Sequence, residues 1–245
     1  MTGNLRQCVI LVGGAGTRLG EIARDIPKPL LPVAGRPFLE WLLIKAARHG
    51  FDRVLLLAGH KAEAVDAYLA HGIAAKLGLT IGVSLEPSPL GTGGALAQAL
   101  DRLDPAFLMV NGDTWYDFDW RALANIEGFD AVLALRPMDD PDRYETVALS
   151  GATVTGFHAR GAAGPALING GAYRLTQTVA DTIAAPASLE RDVLPRLAEQ
   201  GRLGGVIFDA PFIDIGIPAD YAAASALISG AETLFPPSPD QNCPR

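Results

Sequence analysis

Lysine is scarce in this chain. Of 20 basic residues only Lys28, Lys45, Lys61 and Lys76 are lysines, against 27 acidic residues, for a formal charge of −7. A duplex-binding face needs a concentrated basic surface, so nucleic acid is excluded as a partner. Cysteine is scarcer still. Cys8 and Cys243 lie near opposite ends, which argues against a disulfide framework or a zinc knuckle and fits a reducing compartment. No apolar run approaches the roughly 20 residues needed to span a bilayer. The start, MTGNLRQCVILVGG, lacks a basic segment followed by a long apolar stretch and a small-residue cleavage site. The expectation is a soluble cytoplasmic protein with no membrane partner.

Apolar residues are abundant. They make up 49% of the 245 residues, enough to bury a large core and to exclude a disordered or collagen-like chain. Residues 7–12, 53–59 and 106–110 read as buried strands, and 79–85 alternates like a half-exposed strand. Between them, 37–49, 61–71 and 92–103 carry apolar residues at helical spacing. Strands alternating with helices predict an α/β fold with a Rossmann-like, mostly parallel mixed sheet and helices on both faces. A (β/α)8 barrel also fits the length, but the alternation fails after Asp113. Residues 130–136, 145–149, 153–157 and 167–175 read as strands with little helix between them. Ser188 caps a helix to about Gln200, 205–209 and 212–215 are short strands, and Pro218 opens a last helix. The second half is thus expected to extend the same sheet, giving one domain over 1–235 with a flexible tail at 236–245.

Four signals carry chemistry. Residues 11–19, Leu-Val-Gly-Gly-Ala-Gly-Thr-Arg-Leu, follow the first strand. Glycines there let the backbone approach a ligand, and successive N–H groups make an anion-binding concavity; the same residues also make a plain tight turn. No lysine follows a glycine, which excludes a Walker A loop. Gly14, Gly16 and Gly20 are spaced G-x-G-x-x-x-G, which does not match the dinucleotide fingerprint. Pro27-Lys28-Pro29 restricts the backbone around one lysine and suits a phosphate contact, or else Lys28 is a solvated loop residue. Asn111-Gly112-Asp113 ends a strand and offers a hard oxygen ligand for Mg²⁺, or a turn. Asp214 stands between Ile213 and Ile215. It is either an exposed strand residue or a buried acid whose partner is a metal shared with Asp113.

Together these segments resemble the sugar-1-phosphate nucleotidyltransferase family over about residues 7–221. The pieces are VGGAGTRL (12–19), DIPKPLLPV (25–33), EPSPLGTGGA (86–95), NGDTWYD (111–117), DRYETV (142–147), LINGGAY (167–173) and FIDIGIP (212–218). Within the family the chain resembles guanylyltransferases of manno-heptose or mannose 1-phosphate. The resemblance implies that a sugar 1-phosphate oxygen attacks the α-phosphorus of a nucleoside triphosphate, GTP favoured, in line and with pyrophosphate leaving. The product would serve surface polysaccharide, as in capsule or lipopolysaccharide. It implies a nucleotide-binding half at 1–113 and a sugar-binding half at 114–235. Asp113 and Asp214 are implied as Mg²⁺ ligands bridging the two phosphates. Arg18 is implied to contact the triphosphate and leaving pyrophosphate, helped by the amides of Gly14, Ala15, Gly16 and Thr17, with Lys28 near the reacting centre. Leu11, Gly13, Gly112 and the segment 86–92, including Glu86, Gly91 and Thr92, are implied to surround base and ribose. Gly91, Gly93 and Gly94 would admit a close approach at a helix start. Tyr144, Asn169 and Gly170 belong to the sugar side, where Asn169 either bonds sugar hydroxyls or belongs to an Asn-Gly-Gly turn. No general base is needed, because the attacking phosphate is already anionic.

The chain departs from the pattern twice. Relatives commonly carry a Glu-Lys pair near Phe157 whose lysine reaches the sugar phosphate. Here the residues are His158-Ala159-Arg160, so Arg160 stands in for the lysine and the carboxylate has no counterpart there. Glu145 occupies a position where relatives often have glycine, either near the sugar pocket or in solvent. The other readings are a uridylyl- or thymidylyltransferase of the same fold and a non-catalytic sugar-nucleotide-binding relative. Retention of Asp113, Asp214, Arg18 and Lys28 favours an enzyme. A homo-oligomer is left open.

Overall fold

A computed structural model describes residues 5–14, 16–161 and 163–234. Ala15, Cys243 and the tail 236–245 lie outside the described residues. Strand β1 (Gln7–Leu11) is followed by a short ribbon, β2 (Pro32–Val33) and β3 (Arg36–Pro37), then helix α1 (Phe38–Arg48). The first half continues through β4 (Arg53–Ala58), α2 (Ala62–Leu69), α3 (Ile73–Leu77), β5 (Thr80–Leu85), α4 (Gly91–Gln98), β6 (Ala106–Asn111) and β7 (Thr114–Tyr116). The second half runs α5 (Trp120–Ala124), β8 (Ala131–Met138), β9 (Thr146–Ser150), β10 (Thr153–His158), β11 (Ala166–Thr176) and α6 (Gln177–Asp181). It ends with α7 (Leu194–Glu199), β12 (Leu203–Ile207), β13 (Phe212–Asp214) and α8 (Pro218–Leu234). No described helix is long and apolar enough to cross a membrane.

Nine strands form one sheet in the order β5-β4-β1-β6-β11-β8-β12-β10-β9. β5, β4, β1 and β6 pair in parallel, and antiparallel pairing enters with β11. β1 lies between β4, the next main-sheet strand along the chain, and β6, so the sheet switches direction of growth there. In open α/β sheets the crevice at such a switch, beyond the carboxyl ends of the strands, receives ligands. Register makes those ends coincide, since Leu11 is level with both Leu57 and Asn111.

The central strands read as unbroken apolar runs because both faces are covered. Alternate side chains divide between two cores. Ile10, Leu56, Leu108 and Val110 join α1 residues such as Leu42 on one face. Val9, Leu55, Leu57 and Met109 join Leu96 of α4 and Leu197 of α7 on the other. Lys45 breaks the apolar pattern of α1. Its side chain is 1% exposed, and its ammonium donates to the Tyr116 carbonyl at 2.5 Å and to Asp117 Oδ1 at 3.3 Å. It also stands 4.6 Å from the Trp115 ring. Burial pushes its pKa down to about 8, against the opposing pull of Asp117.

Two expected helices end differently. The stripe expected over 92–103 is α4 followed by a 3-10 turn, Leu100–Arg102. The helix capped by Ser188 opens with a π turn, Leu189–Val193, before α7. Pro195 has no N–H to donate, so the regular ladder is interrupted there. The strand expected at 212–215 forms as β13, but it pairs with β7 in a ribbon apart from the main sheet.

Candidate active site

Two cavities open at the carboxyl end of β1 and β6. The first, of about 610 Å³, is lined by Leu11, Gly13, Gly14, Lys28, Glu86, Gly91, Thr92, Gly112 and Asp113. The second, of about 450 Å³, is lined by Arg18, Tyr144, Glu145, Arg160, Asn169, Gly170 and Asp214 among others. Asn111, Asp113 and Glu190 border both. Of the residues singled out from sequence, Gly16 and Thr17 fall outside both linings, in the turn leading to Arg18, and Ala15 lies outside the described residues.

The turn after β6 sets Asp113. The Gly112 N–H donates to the Leu11 carbonyl at 2.9 Å, and a Cβ on Gly112 would collide with that same carbonyl oxygen. Only glycine lets the chain cross so closely over the end of β1. β7 follows at once and pairs antiparallel with β13, with Asp214 level with Thr114. Asp113 and Asp214 are therefore neighbours across a two-stranded ribbon. Each carboxylate has a local anchor: Asp113 Oδ1 accepts from the Thr114 hydroxyl at 3.1 Å, and Asp214 Oδ1 from the Gly216 N–H at 2.7 Å.

Lys28 sits between them. Its side chain donates to Asp113 Oδ2 at 2.5 Å and stands 3.7 Å from Asp214 Oδ1. The residue is 6% exposed, so the solvated-loop alternative does not hold. Pro27 and Pro29 frame the 3-10 turn Lys28–Leu30, closed by the Leu30 N–H on the Pro27 carbonyl at 2.8 Å. Burial and the Asp113 charge hold the Asp214 carboxyl above the usual carboxylate range, partly offset by Lys28. Desolvation and the Asp113 charge thus outweigh the two nearby cations, Lys28 and Arg18, at this carboxyl. Mg²⁺ is commonly held by one or two carboxylates plus waters and substrate phosphates, which fits such a donor set. Among the described residues no group of three or more His, Cys, Asp or Glu has the makings of an all-protein metal cage.

The glycine turn after β1 presents unpaired amides. Among the described residues the N–H groups of Gly13, Gly14 and Gly16 have no acceptor. The chain reverses at Gly16, which has φ 65°, before the 3-10 turn Thr17–Ala23. Past that reversal Arg18, expected beside the triphosphate, lines the second cavity near Asp214.

Glu86 closes the 86–90 loop by accepting the Leu90 N–H on Oε2 at 2.8 Å. Its Oε1 lies beside the bare faces of Gly13 and Gly59. The glycines at the start of α4 admit a close approach from within the chain, while Gly91 also lines the first cavity. Gly91 has φ 77°, and a Cβ there would stand 2.5 Å from the Ala187 carbonyl oxygen. The amides of Gly93 and Gly94 donate to that same carbonyl at 2.9 and 3.1 Å. What approaches closely is the 185–189 segment of the chain itself, so the Gly93 and Gly94 amides are already satisfied. Thr92 is similarly engaged, donating to Glu190 Oε2 at 2.7 Å and accepting the Leu189 N–H at 2.8 Å.

On the second cavity, Asn169 Oδ1 accepts the Gly171 N–H and its Nδ2 donates to the Tyr173 hydroxyl, both at 3.0 Å. Asn-Gly-Gly makes no hairpin turn. β11 runs through it, and the pairing with β8 shifts between Asn169 and Tyr173 as a bulge. Glu145 faces this cavity, and Arg143, beside Tyr144, pairs with Asp220 at 3.0 Å. Glu190 and His60, a lining residue of the first cavity, were not anticipated. No local pattern marks Glu190, because its place depends on a contact with Thr92 98 positions away.

Comparison with known proteins follows the same lines. The Nucleotidyl transferase family matches residues 7–230. The D-glycero-alpha-D-manno-heptose 1-phosphate guanylyltransferase of Aneurinibacillus thermoaerophilus is 35% identical over 89% of this chain and 96% of its own. The mannose-1-phosphate guanylyltransferase of Mycobacterium tuberculosis is 35% identical over 89% of this chain and 63% of that protein. The crystal structure of HddC from Yersinia pseudotuberculosis complexed with GMP-PN superposes with a TM-score of 0.81 at 30% identity, covering 91% of this chain and all (100%) of that one.

Proposed function

The chain belongs to the nucleotidyl transferase family, and from that premise we propose that it transfers GMP from GTP to manno-heptose or mannose 1-phosphate. The observation that carries this reading is the convergence of Asp113, Asp214 and Lys28 on the ridge between two cavities. One cavity suits a nucleotide and the other a sugar phosphate. In the reaction an oxygen of the sugar 1-phosphate attacks the α-phosphorus. A new P–O bond forms as the bond to the β-phosphate oxygen breaks, and pyrophosphate leaves with that electron pair. The obstacle is bringing two polyanions together, so positioning and charge compensation do most of the work.

The free amides of Gly13 and Gly14, which line the first cavity, receive triphosphate oxygens. Lys28 neutralises charge at the reacting phosphate, and Arg18 and Arg160 take the phosphate of the incoming sugar. Asp113 and Asp214 hold Mg²⁺, which when bound compensates the developing phosphate charge. Glu86 favours guanine over uracil or thymine. A carboxylate only accepts, and guanine offers the adjacent N1–H and N2–H donors that match it. A GTP-consuming step belongs in the cytoplasm, and its product supplies an activated sugar for surface polysaccharide.

The test is pyrophosphate release with each of the four ribonucleoside triphosphates and dTTP, paired with heptose or mannose 1-phosphate in Mg²⁺ buffer. GTP is expected to be used preferentially. Preference for UTP or dTTP overturns the guanylyl assignment, and absence of turnover with every pair overturns the enzyme.

A further inference from the structure

Glu190 lies on the ridge between the cavities and has no part in the roles assigned above. It sits in the single π turn of the chain's described residues, Leu189–Val193, a feature that recurs at functional sites. Its Oε2 is doubly held, accepting from the Thr92 hydroxyl at 2.7 Å and the Ser188 hydroxyl at 3.0 Å. Among the described residues Oε1 has no hydrogen-bond partner. The carboxylate is therefore fixed in place with one oxygen free, bordering the space where the two substrates meet.

Asn111 borders the same space, but its side-chain amide is turned toward Gly171 and Tyr173 and its Oδ1 is enclosed. Glu190 Oε1 is therefore the acceptor left for a substrate, and a carboxylate oxygen without a donor repels a phosphate and calls for a hydroxyl group. The cationic side of the second cavity, with Arg18 and Arg160, is separate chemistry that suits the phosphate. Asp113 borders both cavities too, so the sugar hydroxyl nearest this ridge is the one on the carbon next to the anomeric carbon. The carboxylate missing near 158–160 thereby finds a replacement on a different element of the fold.

We propose that Glu190 is a specificity-determining residue that accepts a hydrogen bond from the 2-hydroxyl of the sugar 1-phosphate. This rests on the nucleotidyl-transfer reading and extends it to one atom of the substrate.

The experiment compares kcat/KM for mannose 1-phosphate and its 2-deoxy counterpart, and for GTP and 2′-deoxy-GTP, in the full chain and in Glu190→Gln. The glutamine keeps the size of the side chain and an oxygen for Thr92 and Ser188. The wild type is expected to favour the 2-hydroxyl sugar by about tenfold or more, the range of a hydrogen bond to a charged group. Glu190→Gln should lose a similar factor on mannose 1-phosphate and less than about twofold on the 2-deoxy sugar. An equal loss on both sugars, a wild type indifferent to the 2-hydroxyl, or a loss that tracks the ribose 2′-hydroxyl overturns the proposal. A merely structural role would instead lower thermal stability and kcat/KM for both sugars alike. The wild-type comparison needs no variant, so it stands even if Glu190→Gln folds poorly. If the wild type turns over no sugar 1-phosphate at all, that arm alone removes the transfer reading and this proposal with it.

Discussion

The Ile215 N–H donates to the Asp113 carbonyl at 2.9 Å, closing the β7–β13 ribbon one residue beyond Asp214. That single ladder bond ties two acids from distant parts of the chain into one site. Their shared counter-ion, Lys28, comes from a third segment. Each of the three makes a distinct prediction.

Asp113→Asn should reduce turnover by about 10²–10³-fold, the usual effect of removing one charge-stabilising group from a reacting centre. The fold should persist, since asparagine can still accept from Thr114. Pyrophosphate release alongside a thermal melt checks both halves.

Asp214→Asn should separate activity from stability. Burial and the Asp113 charge disfavour its ionised form, so the native state binds that proton more tightly than the unfolded chain. The ionised carboxylate therefore lowers stability as pH rises above the ordinary carboxylate range. Removing the charge should raise Tm of the metal-free protein at neutral pH while turnover is lost. A fall in Tm would contradict this account of the pair.

Lys28→Met leaves the two facing carboxylates with Arg18, beside Asp214, as their remaining cation. In metal-free buffer the melt should move to lower temperature. Added Mg²⁺ should recover much of the loss, about 2.7 kcal/mol at a hundredfold excess over Kd. Failure of Mg²⁺ to recover stability would argue against metal binding at this pair.

Glu86→Gln replaces an acceptor-only group by one that also donates. GTP should lose about tenfold in kcat/KM and UTP should gain relative to it, because the donor matches a pyrimidine carbonyl. Competition between GTP and UTP in one reaction reads the ratio directly.

Lys45→Met should destabilise by about 3–5 kcal/mol, because Asp117 is left buried without its cation. Lys45 has a folded pKa of about 8, below its unfolded value. Its charged form therefore weighs against the fold at pH below about 8, and that penalty is relieved as pH rises toward the unfolded value. Urea unfolding at pH 7 and pH 9.5 should show the gap between wild type and Lys45→Met widening at the higher pH.

Much of the fold was legible in single segments. The apolar runs of β1, β4 and β6 and the helical spacing of α1 and α2 are visible because period and burial are written in adjacent residues. The glycines and prolines around Gly112 and Lys28 were legible too, since backbone restriction is a property of the residue itself. Gly93 and Gly94 show where that logic stops. Their small size was evident, but what they admit is the Ala187 carbonyl from a remote segment. Glu190 left no local trace at all.

Sequence by itself determined the main strands and helices of the first half, and which acid and which lysine stand beside the glycine and proline turns; the short elements β2, β3, β7, α5 and α6 were not legible in it. Tertiary structure alone decided that β13 would leave the main sheet to pair with β7, and that Glu190 would cross to Thr92. Side-chain size and backbone preference act over a few residues. Pairing between distant strands is chosen by the packing of the whole core, and no single segment contains that information.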